Sequence, residues 1–199
     1  MWRHTVVAIK LTMALTVLFG LIYPLGMTGI AQAIFPRQAN GSLVEKDGRA
    51  IGSELIAQRF SRPEYFHPRT SAAFNPDPTR RDRWVSGGSN LGPTSKALVD
   101  RVEGEVKRLA KENPGLEPGR IPADMVTTSA SGLDPDISPA NAYAQVARVA
   151  GARSMSKEQL ARIVRSYTVQ RQLGILGEPR VNVLKLNLAL DAVERRSRR

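Results

Sequence analysis

Cysteine is missing from all 199 residues. Disulfides, thiolate nucleophiles and Cys-ligated metals are therefore excluded. Histidine occurs twice only, as His4 and His67, too few for a histidine-rich metal site or an imidazole proton relay. Neither G-x-x-x-x-G-K-[ST] nor G-x-G-x-x-G occurs, and H-E-x-x-H and the EF-hand pattern are absent too. No cofactor is expected to bind through a motif of this chain's own. The last absence is local: residues 11–36, a run of 26, carry no charge.

What is abundant is positive charge. The net charge is +11, which brings nucleic acid or an anionic membrane surface to mind. Its distribution argues against nucleic acid. Lys and Arg are scattered with acids between them, and the one dense block is Arg195, Arg196, Arg198 and Arg199. No RNP-type aromatic motif, zinc-finger spacing or basic heptad region accompanies it. A solvated basic surface with a disordered tail over residues 195–199 is the better reading.

The uncharged run has three readings: a retained membrane anchor, a cleaved signal peptide, or a buried helix. As a helix it would reach roughly 39 Å, against a hydrocarbon core of roughly 30 Å. It exceeds the length of a signal-peptide apolar region, and a soluble core helix rarely stays uncharged so long. Gly20, Pro24, Gly26 and Gly29 suit a membrane helix, where small residues permit close approach of neighbours. The anchor is favoured, with a span over residues 11–36 after a short N-terminus, 1–10. Ala31-Gln32-Ala33 resembles a cleavage site, so a free periplasmic binding or assembly protein released near Ala33 stands as the alternative. Flanking charge is nearly balanced; Arg3 and Lys10 within the first ten residues favour an inside amino terminus, with the domain outside.

Residues 37–194 are expected to form one α+β domain with a small sheet and about three helices. Residues 42–52 read as a hairpin about Asp47-Gly48, 53–60 as a short helix or irregular chain, and 61–93 as loop. Leu98, Val102, Val106 and Leu109 mark a helix over 94–111, stopped by Asn113-Pro114-Gly115. Residues 121–128 suggest a short strand. Ser138-Pro139 starts a helix and Ser156 to Gln159 form a capping box for another. Alternation along 181–190 reads as a strand.

Candidates for chemistry are few. The Gly-rich run 86–93 is able to present amides to an anion, but reads more simply as a tight connection. Ser154 and Lys157 match S-x-x-K, a serine-hydrolase pattern, without its partner motifs. His67 sits among Tyr65, Phe66 and Arg69. Asp134 and Asp136 suit the N-terminus of the following helix and are also able to attract a cation.

The stretches NGSL, YFHPRTSAAFNP, SGGSNLGPTS, TTSASGLDPDISPANAYAQVARVA and LGILGEPRVNVLKLNLALD follow one span in this order. Together they resemble the C subunit of the Kdp-type potassium-transporting P-type ATPase, from the span to Asp191. The motif residues His67, Arg69, Gly87, Gly88, Asn90, Gly92, Pro93, Asp134, Pro135, Ser138, Gly177, Glu178, Arg180 and Asn182 become candidates for a subunit interface. Two positions depart from the family: Pro68, where Gly is frequent, and Asp136, where His is frequent. The resemblance implies a bacterial inner-membrane complex and a single span with the amino terminus in the cytoplasm and the domain periplasmic. It implies two partners besides lipid: a channel-like potassium-translocating subunit, and a P-type ATPase subunit that binds ATP. Potassium and ATP are then handled by the complex. The chain lacks a D-K-T-G-T phosphorylation motif, and the resemblance implies an accessory catalytic chaperone that raises the ATP affinity of the ATPase subunit. Two further expectations are coupling through the span and an outer domain that caps the potassium entrance.

Overall fold

Leucine, isoleucine, alanine and methionine dominate the uncharged run, and in the computed structural model it is helical. The structure describes residues 1–46, 48–71 and 86–197. Helix α1 (Trp2–Val17) passes through a π-helical turn (Leu18–Ile22) into α2 (Tyr23–Ile34). Together they make one helix of 33 residues, long and apolar enough to cross a membrane, with none of its residues buried. It starts before the uncharged run does, so residues 2–10 are its first turns. It ends where Phe35 leaves helical geometry ahead of Pro36, as the residue before a proline tends to do. A short α3 (Pro36–Ala39) follows.

The expected hairpin forms as β1 (Leu43–Lys46) and β2 (Arg49–Ser53), antiparallel, with Leu43 opposite Ser53 and a bulge at Val44/Glu45. Gly48 takes φ +73° in its turn; Asp47 lies outside the described residues. The chain divides into two compact units, Met1–Ser53 and Glu54–Arg199. The hairpin thus belongs to the first unit, although the sequence placed the domain boundary at residue 37.

In the second unit, α4 (Lys96–Glu112) buries Leu109, with Val102 and Val106 packed beside it. Asn113 closes the helix by donating from Nδ2 to Leu109 O at 3.0 Å, and Gly115 takes φ +83°. A 3-10 turn (Pro118–Arg120) leads to α5 (Ala123–Val126). This corrects the strand expected over 121–128: Pro122 starts a helical turn, and Thr127 Oγ1 closes it on Ala123 O at 2.8 Å. Then come β3 (Asp136–Ile137), α6 (Pro139–Arg153), α7 (Lys157–Ser166), β4 (Thr168–Val169), β5 (Arg180–Asn182) and α8 (Val183–Ser197). The sheet order is β3-β5-β4, antiparallel throughout. Both predicted caps are present: Ser138 Oγ accepts from Asn141 N–H, and Ser156 with Gln159 completes a capping box.

α8 is the main correction. The strand predicted over 181–190 stops at Asn182, whose Oδ1 caps the helix by accepting Lys185 N–H at 3.1 Å. Val183, Leu186, Asn187 and Leu190 are all buried, at helical spacing i, i+3, i+4, i+7. The period-two pattern arose because Leu fills every even position from 184 to 190. Leu, Ala and Lys are also good helix formers. The helix carries on through Arg195 to Ser197, so the first three residues of the expected disordered tail are helical. The core joins Phe66, Ile137, Val149, Leu160, Val164, Val181, Leu186 and Leu190. Each fully buried aliphatic there contributes roughly 1.5–3 kcal/mol.

Candidate functional site

Residues 65–71, which sequence reading took for loop, are held by side chains from two helices. Phe66, fully buried, donates its N–H to Asn187 Oδ1 and accepts from Asn187 Nδ2, both at 2.9 Å. At the next residue, His67 N–H donates to Gln145 Oε1 at 2.7 Å and His67 O accepts from Gln145 Nε2 at 3.1 Å. Two side-chain amides, from α8 and α6, thus satisfy main-chain groups that a neighbouring strand would otherwise satisfy.

Arg148, on α6 one turn beyond Gln145, is buried. Its Nε donates to Asn113 Oδ1 at 3.0 Å, Nη1 to Pro63 O at 2.7 Å and Tyr65 O at 2.9 Å, and Nη2 to Gln145 Oε1 at 2.6 Å. All four acceptors are neutral. Burial lowers its pKa to about 10, which leaves it charged at neutral pH. His67 Nε2 lies 3.1 Å from Arg62 O and 3.4 Å from Arg148 Nη1; taken as the N–H tautomer, it donates to Arg62 O. Burial first, and then the Arg148 charge, hold the His67 pKa below its ordinary value. With these partners His67 is a locked structural imidazole.

Arg69 ties this segment to the loop before β3. Nη1 meets Asp134 Oδ2 at 2.9 Å, and Nη2 reaches Thr127 Oγ1 and Thr128 O at 3.4 Å each. Asp134 Oδ1 accepts Asp136 N–H at 3.0 Å, and Pro135 O accepts Val183 N–H at 3.0 Å. Asp136 Oδ2 pairs with Arg180 Nε at 3.0 Å, while its Oδ1 accepts from Asn182 Nδ2 at 3.2 Å. Burial raises the Asp136 pKa despite those contacts. Each carboxylate is thus matched to an arginine, which leaves the cation idea without support. Among the described residues no group of three or more His, Cys, Asp or Glu is placed to hold a metal. Ser138 caps α6 and is itself held by Asp124, which accepts Ser138 N–H at 2.8 Å, Ser138 Oγ–H at 3.0 Å and Asn141 Nδ2 at 3.0 Å.

The Gly-rich run is largely exposed but tethered at its start. Gly87 N–H and Ser86 Oγ both donate to Ser131 O, at 2.9 and 3.1 Å. A Cβ on Gly88 would sit 2.9 Å from Ala130 O. Asn90 takes φ +50°, and Ser95 N–H closes a turn on Gly92 O, with Pro93 between, just ahead of α4. Residues 72–85, part of the YFHPRTSAAFNP stretch, lie outside the described residues. Ser154 occupies the left-handed C-cap of α6 at φ +53°, a capping position, and among the described residues no hydrogen bond joins it to Lys157.

The structure therefore brings His67, Arg69, Gly87, Gly88, Asp134, Pro135, Ser138, Arg180 and Asn182 into one connected scaffold. Gly177 and Glu178 stand apart from it, on an exposed turn where Glu178 pairs with Arg171 at 2.6 Å and Leu173 and Ile175 are 88% and 74% exposed. Sequence reasoning missed Asn113, Asp124, Gln145, Arg148, Arg153 and Asn187. Two had a signal: Asn187 is a lone polar residue among Val183, Leu186 and Leu190 on an apolar helical face, and Asn141, Gln145 and Arg148 make a polar stripe at helical spacing along α6. A cleft of about 360 Å³ opens beside the scaffold, lined by His67, Arg69, Glu105, Arg108, Glu112 and Arg148 among others. It has an ion-paired rim, and among the described residues no hydrogen bond joins a lining hydroxyl to His67.

A sequence model described as KdpC, K+-transporting ATPase, c chain, matches residues 5–192. The chain belongs to the KdpC family. Among its relatives, the potassium-transporting ATPase KdpC subunit of Bradyrhizobium diazoefficiens is 56% identical, over 96% of this chain and 98% of that one. The one from Rhodopseudomonas palustris (strain BisB18) is 55% identical, over 94% and 96%. That of Koribacter versatilis is 52% identical, over 98% and 97%. As a KdpC chain it is a subunit of a potassium-transporting ATPase and not an enzyme in its own right. The KdpC match takes in every motif residue of the scaffold and all but the first three residues of the apolar helix.

Proposed function

We propose that this chain is the accessory subunit that assembles and stabilises an ATP-driven potassium-uptake pump. Its partners are a channel-like potassium-translocating subunit and an ATP-hydrolysing P-type subunit, which handle potassium and ATP themselves. The observation that carries this reading is the exposed apolar helix Trp2–Ile34, attached to a chain whose buried polar side chains Asn113, Gln145, Arg148 and Asn187 hold its own main chain and one another. The helix is retained in the inner membrane with the amino terminus in the cytoplasm and the domain in the periplasm. It acts as a catalytic chaperone by stabilising the packed arrangement of its partners that binds ATP more tightly. The domain caps the potassium entrance. Its contact with a partner includes the exposed turn of Leu173, Ile175 and Leu176, beside Gly177 and Glu178, since apolar side chains clustered and exposed at one loop tip suit an interface.

Co-purification of the tagged chain from native membranes, with its companions identified, tests the assignment; recovery without pump subunits would refute it. Replacing the span by an unrelated apolar helix should lower the complex's ATP affinity. Unchanged affinity rejects coupling through the helix. Deleting residues 40–199 while keeping the span should alter uptake kinetics or assembly, and the cap idea fails if neither moves. Intact mass of the purified chain decides between anchor and release near Ala33.

A further inference from the structure

The π-turn leaves a main-chain acceptor without a donor. Tyr23 N–H bonds to Leu18 O, five residues back, instead of to Phe19 O four residues back. The next N–H able to reach Phe19 O, by π geometry, would belong to residue 24, and residue 24 is proline. Gly20 O loses its α-helical donor to the same proline. Phe19 lies roughly 26 Å from one end of the 33-residue helix and roughly 23 Å from the other, near the centre of a bilayer core. A bare carbonyl there is costly, because lipid offers no donor. Among the described residues no side-chain hydrogen bond of this chain reaches it. Immediately beside it, Gly20 has no side chain, and a Cβ there would meet only Thr16 Cγ2 at 3.9 Å. The backbone is open to close approach at the level where the acceptor is bare.

We infer that the Phe19 carbonyl accepts a hydrogen bond from a donor side chain, a hydroxyl or carboxamide, on a transmembrane helix of another pump subunit, which approaches over Gly20. An acceptor demands a donor, and its depth excludes bulk water. The helix face that docks is therefore marked by a main-chain irregularity rather than by any polar side chain. This rests on the proposed assembly with pump subunits and adds the atom at which the helix is recognised.

Phe19-Gly20 is the one Phe-Gly pair in the sequence. Labelling with carbonyl-13C phenylalanine and 15N glycine thus isolates this single carbonyl in a filtered solid-state NMR spectrum. The full-length chain alone in lipid vesicles is compared with the assembled complex in the same lipid. A downfield displacement of the Phe19 carbonyl in the complex is expected. In Pro24→Ala the returning N–H bonds Gly20 O and the turn reverts to α geometry, so Tyr23 N–H closes on Phe19 O and chain and complex give the same position. Gly20→Ile should weaken association roughly threefold to thirtyfold, as interhelical hydrogen bonds in membranes do. An unchanged Phe19 resonance in the wild-type complex, or one already displaced in the isolated chain, overturns the inference while assembly stands. A wild-type chain that recovers no pump subunit overturns both.

Discussion

Asn187→Leu isolates the contribution of the amide ladder that holds residues 65–71. The side chain of Asn187 is 1% exposed and Phe66 is 0% exposed, so neither Phe66 N–H nor Phe66 O finds water when the amide is removed. Each orphaned main-chain group costs roughly 1–3 kcal/mol, giving roughly 2–6 kcal/mol for the pair. Leucine fills the volume and returns at most about 1–2 kcal/mol of apolar burial. A net loss of about 3 kcal/mol is expected. With a urea dependence of roughly 1–3 kcal/mol per molar, the midpoint falls by roughly 1–3 M. The assay is urea unfolding of the full-length chain in detergent, followed by far-ultraviolet circular dichroism, with amide exchange at Phe66 measured in parallel. Lys96→Ala, which breaks an exposed pair with Asp100, serves as a control and should change stability by less than about 1 kcal/mol. If Asn187→Leu unfolds within about 0.2 M of wild type, the argument that side-chain amides stand in for a strand is wrong. Gln145→Leu should cost more, since it also removes the acceptor of the buried Arg148 Nη2. Because the two amides serve adjacent residues, the double variant should cost less than the sum of the two.

Other consequences follow from the same geometry. Arg153, whose side chain is 2% exposed, bonds to Asp191 and Glu194 of α8, both at 2.9 Å, and to Glu64 O at 2.7 Å; Arg153→Met should cost roughly 2–4 kcal/mol, below the full range for a buried pair because both acids reach solvent. A thermal-shift measurement checks it, and Asp191→Asn should lose part of the same increment. Gly88→Ala should destabilise by roughly 1–3 kcal/mol through its clash with Ala130 O, whereas Gly87→Ala, whose Cβ would meet nothing within 4 Å, should stay close to wild type; limited proteolysis across residues 86–90 distinguishes them. The lowered pKa of His67 means that the folded state prefers the neutral ring. The unfolded chain therefore binds the proton first, and stability falls as pH drops below the ordinary histidine value toward the folded one. Denaturation midpoints measured from pH 7.5 to 5 should show this fall in wild type and a flatter profile in His67→Gln. Leu173→Ser combined with Ile175→Ser should leave unfolding unchanged within about 0.5 kcal/mol yet reduce recovery of pump subunits; equal recovery would remove this turn from the interface.

How much of this was legible depends on where the determining force acts. Local chemistry announced itself: the apolar run became one long helix, Ser138-Pro139 and the Ser156 capping box started helices where their side chains said they would, and Asn113-Pro114-Gly115 stopped α4. The two misread strands share a different cause. Over 181–190 two periods were superimposed, since leucine at every even position satisfies a strand while Val183, Leu186, Asn187 and Leu190 satisfy a helix. Tertiary contact decided between them. In a strand Asn187 would stand with Lys185 on the face opposite the leucines, whereas on the helix it is buried and supplies the amide that faces Phe66. Over 121–128 a four-residue turn was too short to show any period, and Asp124 gave no hint that it would hold Ser138 from fourteen residues away. The motif residues were visible as a string, but their meaning lay in pairings such as Arg69 with Asp134 and Asn182 with Asp136. Such pairings span dozens of residues and leave no periodic trace. The π-turn belongs to the same class. Pro24 was read as a mark of membrane helices, but a proline inside an apolar run fixes only that one N–H is missing. Which carbonyl stays bare depends on whether the preceding turn closes by four residues or five, and that is settled by the three-dimensional path of the backbone.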